Sequence, residues 1–510
     1  MQRDKFEKKQ MGINLLANVV SYSANLIISF VLTPFLINTI GKETYSFYPM
    51  ANTLVSYMSV ITTSMNTVAS RFVTISLVKG EKEEANKYFS SVLVSNAVIS
   101  TIVLIPALVI VVFLDRILNV PINSVAAIKC LFALVFSSAI INIMASVFGI
   151  ATFAKNRIDL RSLRELITAG LRLVLFLLLY AFLPPSIIYV GVVTLIVSIV
   201  NILFQRFYTH YLLPEIKISW VYCSKRHTLE LASSSAWNAI NSLGNTLLAG
   251  MTMILANKMF GEAVGGSFSI VQTVPQFLNG VIIMLVGVFY PAITYRYAEG
   301  DKQGLVHEIR NAQAIIGIVG CSIIAVFTAL SEEFFMLWTP NENATQLAVL
   351  STITIIPHIF ISWFWPLTNL NVVMNMVEIP AIFTLVSGLA NVLLSIVAVQ
   401  VFNGSLLWIP AISTVLQVLW VGVFIPLYAC SNLAIEWHTF YNSFYKALIA
   451  SIGLFLLINK TKQFIRIDGW VPLFFWGGIW GIIALIVMGL IVLGPYKSVD
   501  CLKKIISKIK

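Results

Sequence analysis

The chain has 510 residues, of which 58% are hydrophobic and 11% charged, with 33 Lys and Arg against 22 Asp and Glu and a formal charge of +11. Soluble domains average about 25% charged residues, so this composition cannot clothe a water-facing surface and excludes a soluble enzyme or binding module. Apolar runs of about twenty residues, each able to cross a hydrocarbon core of about 30 Å as a helix, recur along the chain and predict an all-α, polytopic membrane protein.

A cytoplasmic N-terminus (1–11) precedes fourteen predicted spans, at 12–39, 47–70, 89–114, 124–150, 166–183, 187–205, 231–257, 267–293, 311–333, 346–370, 379–402, 407–429, 443–460 and 470–494. They group into an N-lobe over 12–230 (helices 1–6), a C-lobe over 231–430 (helices 7–12) and two further helices over 431–494. The first span is too long for a signal-peptide core and lacks a small-residue cleavage site, so it reads as retained. It carries Asn14, Asn18, Ser21 and Asn25 at i, i+4, i+7 and i+11, one helical face. The second span carries Asn52, Ser56, Ser59, Thr63, Asn66 and Ser70 on one stripe, closed at its inner end by Arg71. Snorkelling accounts for Lys129, just inside the fourth span. Arg172 lies about two turns inside the fifth, where a charge costs at least roughly 2.5–3.5 kcal/mol at mid-span and a cavity-facing role is expected.

The second half repeats the first at an offset of 220 residues. Gly41 and Gly261 each follow the first span of a half, and Lys79-Gly80-Glu81 and Glu299-Gly300-Asp301 each follow the second. The seventh span carries Ser234, Asn238, Asn241 and Asn245, and the eighth carries Gln272, Gln276 and Asn279, all in the register of their first-half counterparts. Single Ser or Asn residues serve as helix–helix glue worth around 0.6–2 kcal/mol each. Four repeat-related stripes instead predict a polar cavity, because polar groups facing lipid lack partners. Trp237 and the Trp363-Phe364-Trp365-Pro366 run read as packing, and His358 as a structural histidine. The tail 495–510 alternates apolar and basic residues and is predicted to lie on the inner leaflet, where each Lys gains about 1 kcal/mol from anionic lipid.

With the N-terminus inside, the inner segments hold 24 Lys and Arg and the outer ones 5. That asymmetry fits the positive-inside rule and puts both termini in the cytoplasm. The basic balance is thus topology, and no nucleic-acid partner is expected. The five cysteines are scattered without a CxxC pair, which implies neither a disulfide framework nor a metal site; no cofactor is expected. The spans hold no interior Asp or Glu, so the cavity reads as neutral to cationic, suited to an anionic or hydroxyl-rich substrate and not to an organic cation. Outer connections of about a dozen residues leave no room for a catalytic domain, and no GxxxxGK[ST], HExxH or DxD motif is present, so an enzyme is not expected.

The residues Asn14-Leu-Leu-Ala-Asn18, Thr33-Pro34-Phe35-Leu36, Ile40-Gly41-Lys42-Glu43-Thr44-Tyr45, Ser70-Arg71-Phe72 and Lys79-Gly80-Glu81 resemble the opening of polysaccharide-repeat flippases. These are the Wzx-type, polysaccharide transporter branch of the superfamily that also holds lipid II flippases and multidrug extruders. The likeness extends over nearly the whole chain in span number, repeat and loop lengths, with Ser46 standing where the pattern has glycine. It implies two pseudo-symmetric six-helix lobes around a central cavity, plus two peripheral helices. It also implies translocation of an undecaprenyl-pyrophosphate-linked oligosaccharide from the inner to the outer leaflet, with membrane lipid and a polysaccharide polymerase as partners and a monomeric state. Arg71 and Arg172 would pair with pyrophosphate, while Asn18, Asn25, Asn52, Ser56, Asn66, Asn238, Asn241, Asn245, Gln272, Gln276 and Asn279 would hydrogen-bond sugar. A multidrug or cation antiporter of the same fold is the alternative.

Overall fold

The computed structural model describes residues 2–216 and 220–494; the tail read as a surface segment, 495–510, lies outside them. Among the described residues every regular element is helical. The long helices are α1 (Gln2–Ile40), α2 (Lys42–Val78), α3 (Lys82–Val112), α4 (Ile122–Ala154), α5 (Ile158–Phe182), α6 (Ile188–Leu212), α7 (Lys225–Phe260), α8 (Glu262–Ala298), α9 (Lys302–Ala329), α10 (Ala344–Val373), α11 (Glu378–Gln400), α12 (Trp408–Leu433), α13 (Asn442–Phe464) and α14 (Trp470–Leu493). All but α2 are long and apolar enough to cross a membrane. The exception spans 37 residues, and its apolar character is diluted by the Asn, Ser and Thr stripe that marks it in the sequence.

The repeat is built into the turns. Gly41 (φ 82°) and Gly261 (φ 94°) link α1 to α2 and α7 to α8, and Gly80 (φ 78°) and Gly300 (φ 71°) link α2 to α3 and α8 to α9. These left-handed conformations favour glycine, which has no Cβ to clash. Around Gly80 the bonds Gly80 N→Leu77 O (3.1 Å) and Glu81 N→Ser76 O (2.9 Å) recur around Gly300 as Gly300 N→Tyr297 O (3.1 Å) and Asp301 N→Arg296 O (3.2 Å). A third pair lies at an offset of 219: after α4, Asn156 (φ 51°) N bonds Phe153 O and Arg157 N bonds Thr152 O, and after α10, Asn375 (φ 57°) N bonds Val372 O and Met376 N bonds Asn371 O.

By packing, the described residues form two compact units, one of those up to 269 with Thr384–Leu389, the other of 270–383 and 390–494. The sequence boundary lies at 230/231; here α7 packs within the first unit, mainly on α2. A Cβ on Gly250 would meet Thr53 at 2.8 Å, and Tyr57 Oη donates to Thr246 O (3.1 Å). On its other side, α7 lies so close to the Thr384–Leu389 segment that a Cβ on Gly244 would meet Leu385 N at 2.5 Å, a small-residue crossing of the membrane type. In this unit Met65, Ala69 and Val73 of α2 join Phe89 and Val92 of α3 and Val147, Ile150 and Ala151 of α4 in a sealed core.

In the second unit α9 is the central post, packed by α10, α13 and α14. Gly317 and Gly320 of α9 leave room for Trp363 and Ser362 of α10. Trp363 is 1% exposed, so the packing expectation for that aromatic run holds for it. Helix α8 breaks at Gln272, between Glu262–Val271 and Thr273–Ala298. The reason is Pro275, which has no N–H to offer the Val271 carbonyl.

Candidate functional site

Helices α1 and α5 run side by side at a nearly constant offset. Asn14 Oδ1 accepts from Asp159 N (3.1 Å), Ser21 Oγ donates to Glu165 (3.5 Å), and Phe35 meets Tyr180 edge-on at 5.7 Å. Asn14 is buried and also donates to Asn156 O and Oδ1, both at 3.0 Å. Asn14 and Ser21 are therefore joints between helices. Higher in the same register, Arg172 falls opposite positions 27–28 of α1. Asn25 lies about 3–5 Å from that level along the axis, at a rise of about 1.5 Å per residue. Asn25 Nδ2 is spent on its own helix, at Ser21 O (2.9 Å), and its carbonyl oxygen has no hydrogen-bond partner among the described residues. Arg172 is half-buried and makes no hydrogen bond or ion pair with any described residue. Neighbouring cations differ: Arg161 binds Glu165 at 2.9 Å and Arg157 binds Asp159 at 2.9 Å. Asn18, about two turns before Asn25, is exposed.

On α2 most stripe hydroxyls bond backward along their own helix, Ser56 to Asn52 O (3.0 Å), Ser59 to Ser56 O (3.2 Å) and Ser70 to Asn66 O (2.8 Å). Such hydroxyls glue no second helix; their lone pairs remain available to an incoming donor. Ser56, Thr63, Thr67 and Arg71 are exposed and Asn52 is half-buried, and Arg71 has no partner among the described residues. Asn66 departs from the stripe's pattern, since its Nδ2 binds Ser146 Oγ of α4 at 2.7 Å.

On α7, Asn238 is half-buried, Asn241 Oδ1 accepts from Thr384 (2.9 Å), and Asn245 Nδ2 bonds back to Asn241 O (3.0 Å). In the second unit, Gln272 and Asn279 are half-buried and Gln276 is exposed, grouped at and after the break in α8. Lys129 reaches Val112 O (2.8 Å) and Asp115 (2.6 Å) and, by that contact, holds the Asp115 carboxyl below its ordinary range; it is an anchor. Among the described residues no group of three or more His, Cys, Asp or Glu comes together.

The polysaccharide biosynthesis protein family model matches residues 11–295, more than half the chain. The chain belongs to this family. Within the family's wider fold it is 26% identical over 462 residues, 90% of this chain and 91% of the other, to the uncharacterized membrane protein EpsK of Bacillus subtilis (strain 168). Among solved structures, it matches the lipid II flippase MurJ in an inward closed conformation with a TM-score of 0.66 at 13% identity, covering 93% of this chain and 97% of that one. An inward-facing multidrug resistance MATE family transporter of the MOP superfamily matches with a TM-score of 0.68 at 12% identity, covering 81% and 94%. The two structural likenesses show that the chain shares the multi-pass helical fold of these proteins.

Sequence reading missed the partners that hold this polysaccharide biosynthesis family member's helices together. Asn119, between α3 and α4, and Asn257 on the last turn of α7 exchange bonds: Asn119 N to Asn257 Oδ1 (3.0 Å), Asn119 Nδ2 to Asn257 O (2.7 Å) and Asn257 Nδ2 to Asn119 O (3.3 Å). Together with Tyr57–Thr246 and the contact of Gly266 of α8 with Lys42 O (3.0 Å to its Cβ position), this pair holds α7 and the start of α8 against the N-terminal helices at their end remote from the basic turns. Gly266 stands 220 residues after Ser46, so the glycine missing at Ser46 is present in the second repeat, where close approach needs it. No pattern in one sequence pairs residue 119 with 257; the lone Asn in each apolar context was the only signal.

Proposed function

We propose that the chain is a flippase that moves a polyprenyl-pyrophosphate-linked oligosaccharide from the inner to the outer leaflet of the bacterial cytoplasmic membrane by alternating access. The observation that carries this reading is Arg172. An arginine held in a membrane span with no carboxylate partner among the described residues, close to the level of the Asn25 amide, is a standing site for an anion bearing hydroxyl groups. In the first unit the substrate contacts are Arg71, Arg172, Asn18, Asn25, Asn52, Ser56, Asn238, Asn241 and Asn245. In the second they are Gln272, Gln276 and Asn279. Asn66 is omitted, because its amide is committed to α3 and α4. The exposed Thr63–Thr67–Arg71 face of α2 supports a water-filled approach from the basic, cytoplasmic end, since such a face has no partners in lipid.

Carrying two negative charges outward against an inside-negative potential is downhill by about 2.3 kcal/mol per charge per 100 mV. The fold also carries multidrug transporters, which makes cation export the second reading. Against it, the carboxylate placed deepest beside α1, Glu165, is already taken by Arg161 at 2.9 Å and Ser21 at 3.5 Å.

The test is a melting-temperature titration of purified protein with polyprenyl pyrophosphate and, separately, a lipophilic cationic dye. A ligand at 100 times its Kd stabilises by about 2.7 kcal/mol. Stabilisation by the pyrophosphate that disappears in Arg172→Ala supports the flippase; stabilisation by the dye alone transfers the site to cation export.

A further inference from the structure

From its N-cap, Arg157, helix α5 carries Arg161, Arg164, Thr168 and Arg172 at i+4, i+7, i+11 and i+15, one stripe along its surface. The first two cations are paired. Arg157 Nε and Nη2 grip the Asp159 carboxylate, both at 2.9 Å, and Arg161 Nε bonds Glu165 Oε1 at 2.9 Å. Arg164 differs. It is 8% exposed, and its Nε is enclosed without a hydrogen-bond partner. Its contact with a carboxylate among the described residues runs from Nη2 to Glu165 Oε1 at 3.8 Å, beyond hydrogen-bonding range. That oxygen already accepts from Arg161, and Glu165 Oε2 accepts from Ser21 at 3.5 Å. The Arg164 guanidinium makes no hydrogen bond with any described residue. A guanidinium carries five N–H donors, and burying them without acceptors is strongly unfavourable. Helix α6 packs on α5 here, and its Tyr208 is 6% exposed with a hydroxyl that bonds no described residue. The charges of Arg164, Arg157 and Asp159 all act on that hydroxyl.

We propose that Arg164 and the Tyr208 hydroxyl bind the phosphodiester of an anionic phospholipid from the inner leaflet. Phosphate oxygens accept from the planar fork that Arg164 leaves unused, and from a phenolic O–H. Charge selects the class of ligand. Arg157, Arg161 and Arg164 stand against Asp159 and Glu165, three cations to two carboxylates, and the one positive charge left over matches the one negative charge of a phosphodiester. Depth selects its source. Arg164 lies two residues before the span predicted at 166–183, at the level of the headgroups on the basic side. It stands about 12 Å along the axis from Arg172, at about 1.5 Å per residue, so the two are separate sites. Snorkelling does not describe Arg164. A snorkelling cation keeps its head in water, as Arg161 does with 62% of its side chain exposed, whereas Arg164 exposes 9%.

The experiment strips lipid from the purified full chain in an uncharged detergent and titrates short-chain phosphatidylglycerol. Phosphatidylcholine of the same chains and inorganic phosphate are the further arms. Melting temperature and retained lipid, by native mass spectrometry, are read. The expected result is a saturable rise in melting temperature with phosphatidylglycerol and with neither other arm. Arg164→Met should weaken that binding at least about tenfold, the loss of a charge-assisted contact. Without lipid the same variant should melt no lower than the wild type, because it removes an unpaired buried charge. Glu165→Gln removes the competing carboxylate and should tighten binding. Arg206→Gln, which removes an exposed cation at the same end of α6, should change binding by less than about twofold. If Arg164→Met does not fold, Glu165→Gln and Tyr208→Phe decide, the latter expected to weaken binding about threefold. Binding that survives Arg164→Met, an equal loss in Arg206→Gln, weaker binding in Glu165→Gln, or an equal response to phosphatidylcholine or inorganic phosphate overturns the proposal. The assay contains no lipid-linked oligosaccharide, so its outcome is independent of the flippase reading.

Discussion

Replacing Gly244 with alanine puts a methyl group into the crossing of α7 with the Thr384–Leu389 segment. Its Cβ would sit 2.5 Å from Leu385 N, 2.5 Å from Thr384 C and 2.7 Å from Thr384 O. Those are rigid backbone atoms, and ordinary contact is about 3.5–4.0 Å, so the helices must part by about 1 Å. The Thr384–Asn241 bond, now 2.9 Å, then stretches beyond hydrogen-bonding range, a loss of about 0.6–1.7 kcal/mol inside a membrane protein. Overpacking adds about 1–3 kcal/mol, and the better helix propensity of alanine returns up to about 1 kcal/mol. The net loss is about 1–4 kcal/mol. With an unfolding entropy near 2.1 cal/mol/K per residue, that lowers Tm by about 1–4 °C. Gly170→Ala in α5 is the control, because nothing lies within 4 Å of its Cβ position, and it should melt at or above the wild type. Thermal unfolding of the three proteins side by side gives the answer. A Gly244→Ala protein that melts as high as Gly170→Ala would refute the close crossing.

Asn14→Leu deprives Asp159 N–H and the Asn156 carbonyl of their partner and should cost about 1–3 kcal/mol, read as a lower melting temperature. Asn25→Leu combined with Asn245→Leu should abolish most transport and leave the melting temperature near wild type, since both amides bond only within their own helices; a large drop in melting with normal transport would make them structural. Asp115 has its pKa lowered by Lys129, so its stabilising effect is full above the ordinary Asp pKa and fades as pH falls through the lowered folded value. Asp115→Asn should therefore flatten the acid side of a melting-temperature profile, and an unchanged acid limb would show that the contact adds nothing.

The repeat was legible because it rests on local chemistry. Glycines forced to positive φ at 41, 80, 261 and 300 stand out in a sequence, and so do helical stripes of amides in apolar spans. The Asn156/Asn375 pair escaped notice because asparagine tolerates a left-handed turn without advertising it, and because its offset is 219. Composition showed that the stripes on α1 and α2 are polar but could not show where each side chain turns. Asn14 and Asn66 share their neighbours' spacing yet are bound across helices, while Asn25 and Ser56 are bound along their own. That difference depends on what packs opposite, residues 30 to 145 positions away in the chain, and no periodicity carries it. Arg172 was legible by its cost alone, and its lack of a partner among the described residues needed the structure.

The central claim is that Arg172 receives the pyrophosphate during translocation. The direct measurement uses proteoliposomes holding a fluorescent short-oligosaccharide polyprenyl pyrophosphate, with leaflet exchange followed by a membrane-impermeant quencher. Wild-type protein should accelerate exchange well above empty liposomes, and Arg172→Ala should lower that rate at least tenfold with an unchanged melting temperature. Exchange by Arg172→Ala at the wild-type rate, or wild-type exchange no faster than in protein-free liposomes, would contradict the account.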